Sequence, residues 1–387
     1  MQKRIHLSVF SAPLGSGGAE RHTVRVLNEL PAERYKITVV CPARRGEFED
    51  DLRSDIDVHH VGSRWLLRHS ATLGRISAWA GLRRTLIDDP PDLLLSIQDA
   101  QNVISLSVNR SLPRPIPQVL VVQNSIKDAY SSQWSPGQAW IRKAIRTRYQ
   151  NAQKVVALSR GVGEALCDWN PRLRNRLQVI YNAGIDDSVI EKCRQAGSAL
   201  PDRLVAPVIL SAGRLTRQKG YPYLLDALGQ LRDEGFQFEQ WILGSGSLEA
   251  ELRDHVARLN LAERVRFLGF NKDPFQFMAR ASIFVLPSLY EGFGNVIVEA
   301  MACGVPVVAS DCPHGPSEII QHDTNGLLVP PADAASLAGA LRRMLLDAGL
   351  RARLAKAGEM RAVDFHARTI AKQYDQVLAG LLAGGAA

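Results

Sequence analysis

Hydrophobic positions along the chain fall in short solid runs rather than in strict alternation. The first run, Ile5–Phe10, is followed by Gly15-Ser16-Gly17-Gly18 and then by Ala19–Leu30, whose apolar residues recur at helical spacing. Further runs come at Ile37–Cys41, Ile56–Val61, Leu93–Ile97, Gln118–Val122, Lys154–Leu158 and Leu177–Ile180. Helical patterns separate most of them. Solid apolar runs alternating with helices predict a parallel sheet covered on both faces. The pattern loosens over residues 182–206, a polar stretch that includes Pro201, with Pro207 just beyond it, and a linker is predicted there. The alternation then restarts. Strands are predicted at Val208–Ala212, Phe238–Leu243, Val265–Leu268, Ile283–Leu286, Val305–Ala309 and Gly326–Val329. Helices are predicted at Tyr221–Glu234, Leu248–Leu259, Gly294–Ala302 and Ala334–Leu346, with a last one over about 367–384.

The fold class is therefore α/β, with two doubly wound parallel-sheet domains in tandem. Their expected bounds are 1–185 and 186–365, and 366–387 is a terminal helix placed to cross back to the first domain. Sheets of this kind bind ligands outside the carboxyl ends of their strands, so a cleft between the two is expected.

The length of 387 residues suits two domains, and the 46% hydrophobic fraction excludes a disordered chain. No apolar run approaches the ~20 residues of a membrane-spanning helix, and the N-terminus enters a strand without a signal-peptide core. Five widely spaced cysteines with no C-x-x-C predict neither a disulfide scaffold nor a zinc site, and a cytoplasmic setting follows. The formal net charge of +8 is uneven. Residues 1–185 hold 26 Lys and Arg against 16 Asp and Glu, and the remainder 21 against 23. The first half needs an anionic partner or a solvated surface to explain it.

The most informative segment runs from Pro287 to Ala309. A strand ends at Pro287, a loop follows with Gly292 and Gly294, and a helix begins near Asn295. Unpaired N–H groups at a helix start form a ready anion site. Glu291 stands just before that helix and Glu299 about one turn inside it. Carboxylates beside a phosphate suit hydroxyl recognition better than paired acid–base work. Arg214 and Lys219 follow the strand Val208–Ala212 and can neutralise a diphosphate, the one by a planar fork and the other as a point charge. The competing reading of this pair is a solvated turn; that of Glu299 is a helix-surface acid; that of Glu291 is a carboxylate favoured by the helix dipole.

These residues stand in an order that resembles retaining glycosyltransferases of the two-Rossmann GT-B fold, family 4. Glu291 to Glu299 matches its E-x7-E pattern within E-G-F-G-N. Ser211–Gly220 is similar to its G-R-L-x-x-x-K-G donor-phosphate segment, Trp241–Gly246 to its G-x-G nucleotide loop, and Val265–Phe270 to its V-x-F-L-G strand. Asp311–Ile320 and Asn325–Val329 continue the series, and Gly15–Glu20 resembles its G-G-A-E loop. The resemblance covers about residues 5–330.

The resemblance implies a first domain for the acceptor and a second for the donor. The donor is a nucleotide-diphosphate sugar, with UDP favoured over GDP. The transferred group is a hexose or N-acetylhexosamine, and the acceptor a hydroxyl of a glycan or lipid-linked molecule in cell-surface polysaccharide or glycolipid assembly. It implies that Glu291, Arg214 and Lys219 carry the chemistry. Gly17, Gly18, Gly244, Gly246, Phe293, Gly294, Asn295, Val296 and Glu299 bind the donor, with Glu299 on the ribose. Tight structural turns are the competing reading of the glycines. Many relatives carry a His after the strand at 118–122. Here the chain reads Gln123-Asn124, so an amide on the sugar side is expected. His314 is read as packing or as a donor-sugar contact. No metal cluster, D-x-D or activated nucleophile is evident, so metal-independent transfer without a cofactor is expected, with the protein positioning and stabilising the leaving group. A GT-B sugar-nucleotide epimerase and a non-catalytic nucleotide-sugar-binding protein are the alternatives.

Two basic segments carry large apolar residues. One is Arg64-Trp65-Leu66-Leu67-Arg68, continuing through Arg75, Ile76, Trp79, Arg83 and Arg84. The other is Trp134 and Trp140 to Tyr149. They suit the anionic inner leaflet of the cytoplasmic membrane, or else solvated helix faces. Nucleic acid is not expected, because no nucleic-acid motif accompanies the charge.

Overall fold

The computed structural model describes residues 4–15, 17–42, 45–123, 136–198 and 206–383. The chain divides into two compact units, residues 1–183 with 367–387, and residues 184–366.

The first unit is built on seven parallel strands: β1 (Ile5–Phe10), β2 (Tyr35–Pro42), β3 (Asp57–Val61), β4 (Leu93–Ile97), β5 (Gln118–Val122), β6 (Lys154–Ala157) and β7 (Leu177–Val179). Their order is β3-β2-β1-β4-β5-β6-β7. Every residue of β4 and β5 is buried, as solid apolar runs require when helices cover both faces. β3 lies at the edge and exposes Asp57, His59 and His60, a polar rim that discourages further pairing. Leu7, Val9, Leu27, Ile37 and Leu95 form one core layer. The terminal helix Ala367–Ala383 belongs to this unit and buries Ile370, Ala371, Tyr374 and Leu378 in the same core. Asp375 fastens it by accepting from Arg34 at 2.7 Å and from the Tyr35 hydroxyl at 2.7 Å.

The second unit has six parallel strands: β8 (Val208–Ala212), β9 (Glu239–Leu243), β10 (Val265–Gly269), β11 (Ile283–Leu286), β12 (Val307–Ser310) and β13 (Leu327–Val329). Their order is β10-β9-β8-β11-β12-β13. Leu224, Leu228, Ile242, Val285 and Leu341 fill one side of this sheet. In each sheet the strand order reverses once, between β1 and β4 and between β8 and β11.

Two expectations are corrected. The stretch 182–206 is not a single linker. Asp187–Ser198 is a helix of the second unit, with Val189 and Cys193 buried on it. The helical face was hidden from a pattern reading because its exposed side is densely polar. No disulfide framework was expected from the cysteine spacing, yet Cys193 and Cys303 form a disulfide, their Cα atoms 4.9 Å apart. Their sequence separation of 110 gave no spacing signal, because only the packing of Asp187–Ser198 on Asn295–Ala302 brings them together.

A buried histidine ties the first unit together. His22, on the helix Gly18–Glu29, accepts from the backbone N–H of Ala183 at its Nδ1, 2.9 Å away. The ring proton therefore sits on Nε2, 3.4 Å from the Tyr374 hydroxyl. Arg25 of the same helix donates to the Ala183 carbonyl at 3.3 Å. Burial, with Arg25 nearby, lowers the His22 pKa to about 3.

Because the His22 pKa is lower folded than unfolded, the unfolded chain binds the extra proton first. Stability should fall as pH drops from about 6.5 toward about 3. His22→Gln, which keeps an acceptor for Ala183, should flatten the change in urea midpoint between about pH 7 and about pH 5; an unchanged slope would contradict the buried neutral imidazole. Cys303→Ser, or reduction of the native protein, should lower unfolding stability by about 2–4 kcal/mol. An identical denaturant midpoint with and without reductant would refute the link.

Candidate functional site

The order reversal between β8 and β11 places the loops after these strands side by side, where open parallel sheets bind ligands. The loop after β8 runs from Gly213 through a turn at Arg217–Lys219 to the helix Tyr221–Asp233. The loop after β11 runs from Pro287 to Gly294 and ends at the helix Asn295–Ala302.

Backbone and side chain join the two loops. Leu289 N–H donates to the Gln218 carbonyl at 2.8 Å, and the Gln218 amide donates to the Tyr290 carbonyl at 3.0 Å. Gly220 has φ +62°, and a Cβ there would lie 2.0 Å from the Pro287 carbonyl oxygen. Only glycine permits that approach. Lys219 Nζ then reaches Glu291 Oε1 at 2.5 Å, both side chains largely shielded from water. The hydroxyl of Ser288 donates to the same oxygen at 2.6 Å. Burial, and then the charge of Glu291, push the Tyr221 phenol and the Cys312 thiol up, with Lys219 opposing the shift at Cys312. Both are therefore neutral neighbours of the pair. Cys312 carries no motif signature, and its place beside Glu291 is visible only in the fold.

Gly294 caps the following helix at φ +101°. The helix Asn295–Ala302 starts directly after this loop, so the positive end of its dipole lies there. Glu299, one turn on, is buried at 4% exposure, which sets aside its reading as a surface acid. Phe293 is buried edge-on against Phe365, ring centroids 5.2 Å apart, so it has only backbone to offer a ligand. Arg214 is exposed directly after Gly213. His314 is half-buried with φ +67°, just before Gly315. Gly244 and Gly246 serve close backbone packing. A Cβ at Gly244 would lie 2.0 Å from the Gly213 carbonyl oxygen, and one at Gly246 would lie 2.4 Å from that of Leu215. They hold the β8 loop in shape.

The first unit places a different set at its own order reversal. A Cβ on Gly17 would lie 2.2 Å from Glu20 Oε2, so the missing side chain leaves room for a carboxylate folded over the helix start. Gln98, at φ +76° after β4, donates to Glu20 Oε1 at 2.9 Å. Gln123 is buried and donates to the Ala19 carbonyl at 3.4 Å; among the described residues its Oε1 has no partner. Neither Glu20 nor Gln98 was expected as a site residue; the strained backbone of Gln98 is a signal available only from structure. Asn124, like Ser16 and Trp134, lies outside the described residues. Among the described residues no group of three or more His, Cys, Asp or Glu could hold a metal ion, and no helix is long and apolar enough to cross a membrane.

The two basic segments part company. In the second, Ile141, Ala144, Ile145 and Tyr149 are core residues, and Trp140 is packed under Arg75, whose guanidinium lies 4.9 Å from the ring centroid. In the first, Trp65 is 64% exposed, and Leu73, Ile76 and Ile87 line the outer face of the helix Ala71–Asp88.

The comparisons with known proteins agree with this architecture. The family model described as "Glycosyltransferase Family 4" matches residues 16–188, and "Glycosyl transferases group 1" matches 201–361. An N-acetylgalactosamine-N,N'-diacetylbacillosaminyl-diphospho-undecaprenol 4-alpha-N-acetylgalactosaminyltransferase of Campylobacter jejuni is 34% identical over 60% of this chain and 59% of its own length. The lipopolysaccharide core biosynthesis glycosyltransferase LpsE of Rhizobium meliloti is 33% identical over 60% of this chain and 65% of its own. The chain thus spans about three-fifths of the length of these curated relatives. HepE of Anabaena, solved with UDP and glucose, superposes with a TM-score of 0.80 at 26% identity, covering 97% of this chain and 100% of that one. A sucrose-phosphate synthase of Thermosynechococcus elongatus shares the fold, with a TM-score of 0.83 at 22% identity over 98% of this chain and 100% of that one. With a family model matched on each half and the paired parallel sheets of the solved structures, the chain belongs to family 4 of the GT-B glycosyltransferases.

Proposed function

We propose that this chain transfers a hexose or N-acetylhexosamine from a UDP-sugar to a hydroxyl of a glycan or lipid-linked acceptor, with retention and without a metal or cofactor. The observation that carries the reading is the Lys219–Glu291 pair at the order reversal of the second sheet, beside the start of Asn295–Ala302. The first-turn amides of Asn295 and Val296 and the cations Lys219 and Arg214 would receive the diphosphate. Glu291 would hold a hydroxyl of the transferred sugar, and buried Glu299 the ribose. Charge builds on the departing diphosphate as the glycosidic bond breaks. A cation fixed in a partly dry site stabilises that charge without reorganising. The same-face transfer that retention demands lets the diphosphate oxygen take the proton of the incoming hydroxyl. UDP is supported as the nucleotide by the UDP complexes of HepE. The acceptor class is supported by the diphospho-undecaprenol named for the Campylobacter relative.

In this reading the first unit takes the acceptor, with Gln123 and Asn124 on the sugar side, and meets a membrane. Trp65 on the helix Arg64–His69, and Leu73, Ile76 and Ile87 on the helix Ala71–Asp88, are exposed apolar side chains, with Arg83 and Arg84 on the latter helix, a combination that suits an anionic lipid surface at the inner leaflet.

Incubation with labelled UDP-sugars and membrane extract should give acceptor-dependent product. Lys219→Ala should lower kcat/KM by two to four orders of magnitude, or about 3–5 kcal/mol; activity near that of the parent would refute the phosphate role. The protein should sediment with vesicles containing phosphatidylglycerol but not with pure phosphatidylcholine. Raising NaCl from about 0.05 to about 0.5 M, which shortens the screening length about threefold, should release it. No binding at low salt would refute the membrane contact.

A further inference from the structure

The Glu291 carboxylate has two unequal oxygens. Oε1 receives both Lys219 Nζ at 2.5 Å and Ser288 Oγ at 2.6 Å. Among the described residues Oε2 has no hydrogen-bond partner. Ser288 is fully buried, two residues past the end of β11 and directly after Pro287. Its hydroxyl is therefore spent on one acceptor.

We propose that Ser288 is a positioning residue for sugar transfer: it holds Oε1 of Glu291 so that Oε2 faces a hydroxyl of the transferred sugar. It does so while Lys219 turns to the diphosphate. This rests on the reading given above for Glu291 and Lys219.

Lys219 has two anions to serve in turn. In the unliganded chain its ammonium neutralises Glu291. A bound diphosphate carries more negative charge than one carboxylate and draws the same ammonium toward itself. Lysine is a flexible point charge and can follow. Glu291 then loses one of its two donors in a place where water scarcely reaches, with its side chain only 8% exposed. A carboxylate left without donors there is free to rotate and is poorly stabilised. Ser288 cannot follow the phosphate. Its side chain is one bond long, neutral and buried, and it is already at hydrogen-bond distance. A hydroxyl fixed on one oxygen sets the plane of the carboxylate and leaves the other oxygen to the substrate. Alanine would leave the carboxylate dependent on Lys219 alone, whereas threonine would keep the donor.

The test is a double-mutant cycle with UDP release from UDP-glucose, UDP-galactose and UDP-N-acetylhexosamines, in the presence of membrane extract as the acceptor source, as the rate and calorimetric UDP affinity as the control. Ser288→Ala should lower kcat roughly tenfold to a hundredfold, as expected for an interaction that matters in the transition state. UDP affinity should fall much less than the rate, since Ser288 reaches the diphosphate only through Glu291 and Lys219. Ser288→Thr should recover most of the rate. In a Glu291→Ala background, Ser288→Ala should add little, because nothing is left to hold. If Ser288→Ala keeps the parent rate while Glu291→Ala is impaired, the role assigned to Ser288 is wrong. It is equally wrong if the two losses multiply in full, or if UDP affinity falls in step with the rate. If Glu291→Ala is itself fully active, or the parent turns over none of these donors, the underlying reading of the site fails and takes the proposal with it.

Discussion

An ammonium and a carboxylate 2.5 Å apart hold the second unit's site together. Lys219 comes from the loop after β8 and Glu291 from the loop after β11, so the pair bridges the one place where the order of that sheet reverses. Neither charge is well solvated, and each would be costly to leave alone. The pair is therefore more than a surface contact. It keeps a cation in the loop that precedes the helix Tyr221–Asp233, held against a carboxylate that is itself shielded from water.

The backbone makes that pair possible. Gly220 lets the β8 loop press against the Pro287 carbonyl, and Gln218 adds two hydrogen bonds to the neighbouring loop. Gly244 and Gly246 bring the loop after β9 onto Gly213 and Leu215. The ends of β9, β8 and β11, neighbours in the sheet, thus share one layer of closely packed backbone. The charged groups sit on this layer in fixed geometry, the condition under which electrostatic stabilisation needs no reorganisation. The first unit handles its order reversal differently. Glu20 and two glutamines occupy it, a neutral-to-acidic set suited to hydroxyls rather than phosphates.

Much of this was legible in the sequence. Solid apolar runs gave β4, β5, β8 and β11 to the residue, because strands buried on both faces are dominated by apolar side chains, with single polar residues such as Ser96, Gln118 and Ser211 buried among them. Lys219 and Glu291 stood out in the sequence by charge and place after a strand, and the fold brings the two into one ion pair. Other features were not legible, for physical reasons. The helix Asp187–Ser198 presents a largely polar exterior, so it read as linker. The Cys193–Cys303 bridge depends on tertiary adjacency across 110 residues. The segment around Trp140 read as amphipathic and basic, yet its tryptophan lies beneath Arg75 and its aliphatic side chains are core. Nothing in a sequence distinguishes glycines that face a ligand from glycines such as Gly244 that face a neighbouring backbone.

The central claim is that Lys219 exchanges a carboxylate for a diphosphate at this reversal. A structure of the chain with UDP bound tests it most directly. The account predicts the β-phosphate within hydrogen-bond reach of Lys219 Nζ and the first-turn amides of Asn295 and Val296, with Ser288 still on Glu291. A diphosphate lying away from this helix start, with Lys219 unmoved on Glu291, would contradict it.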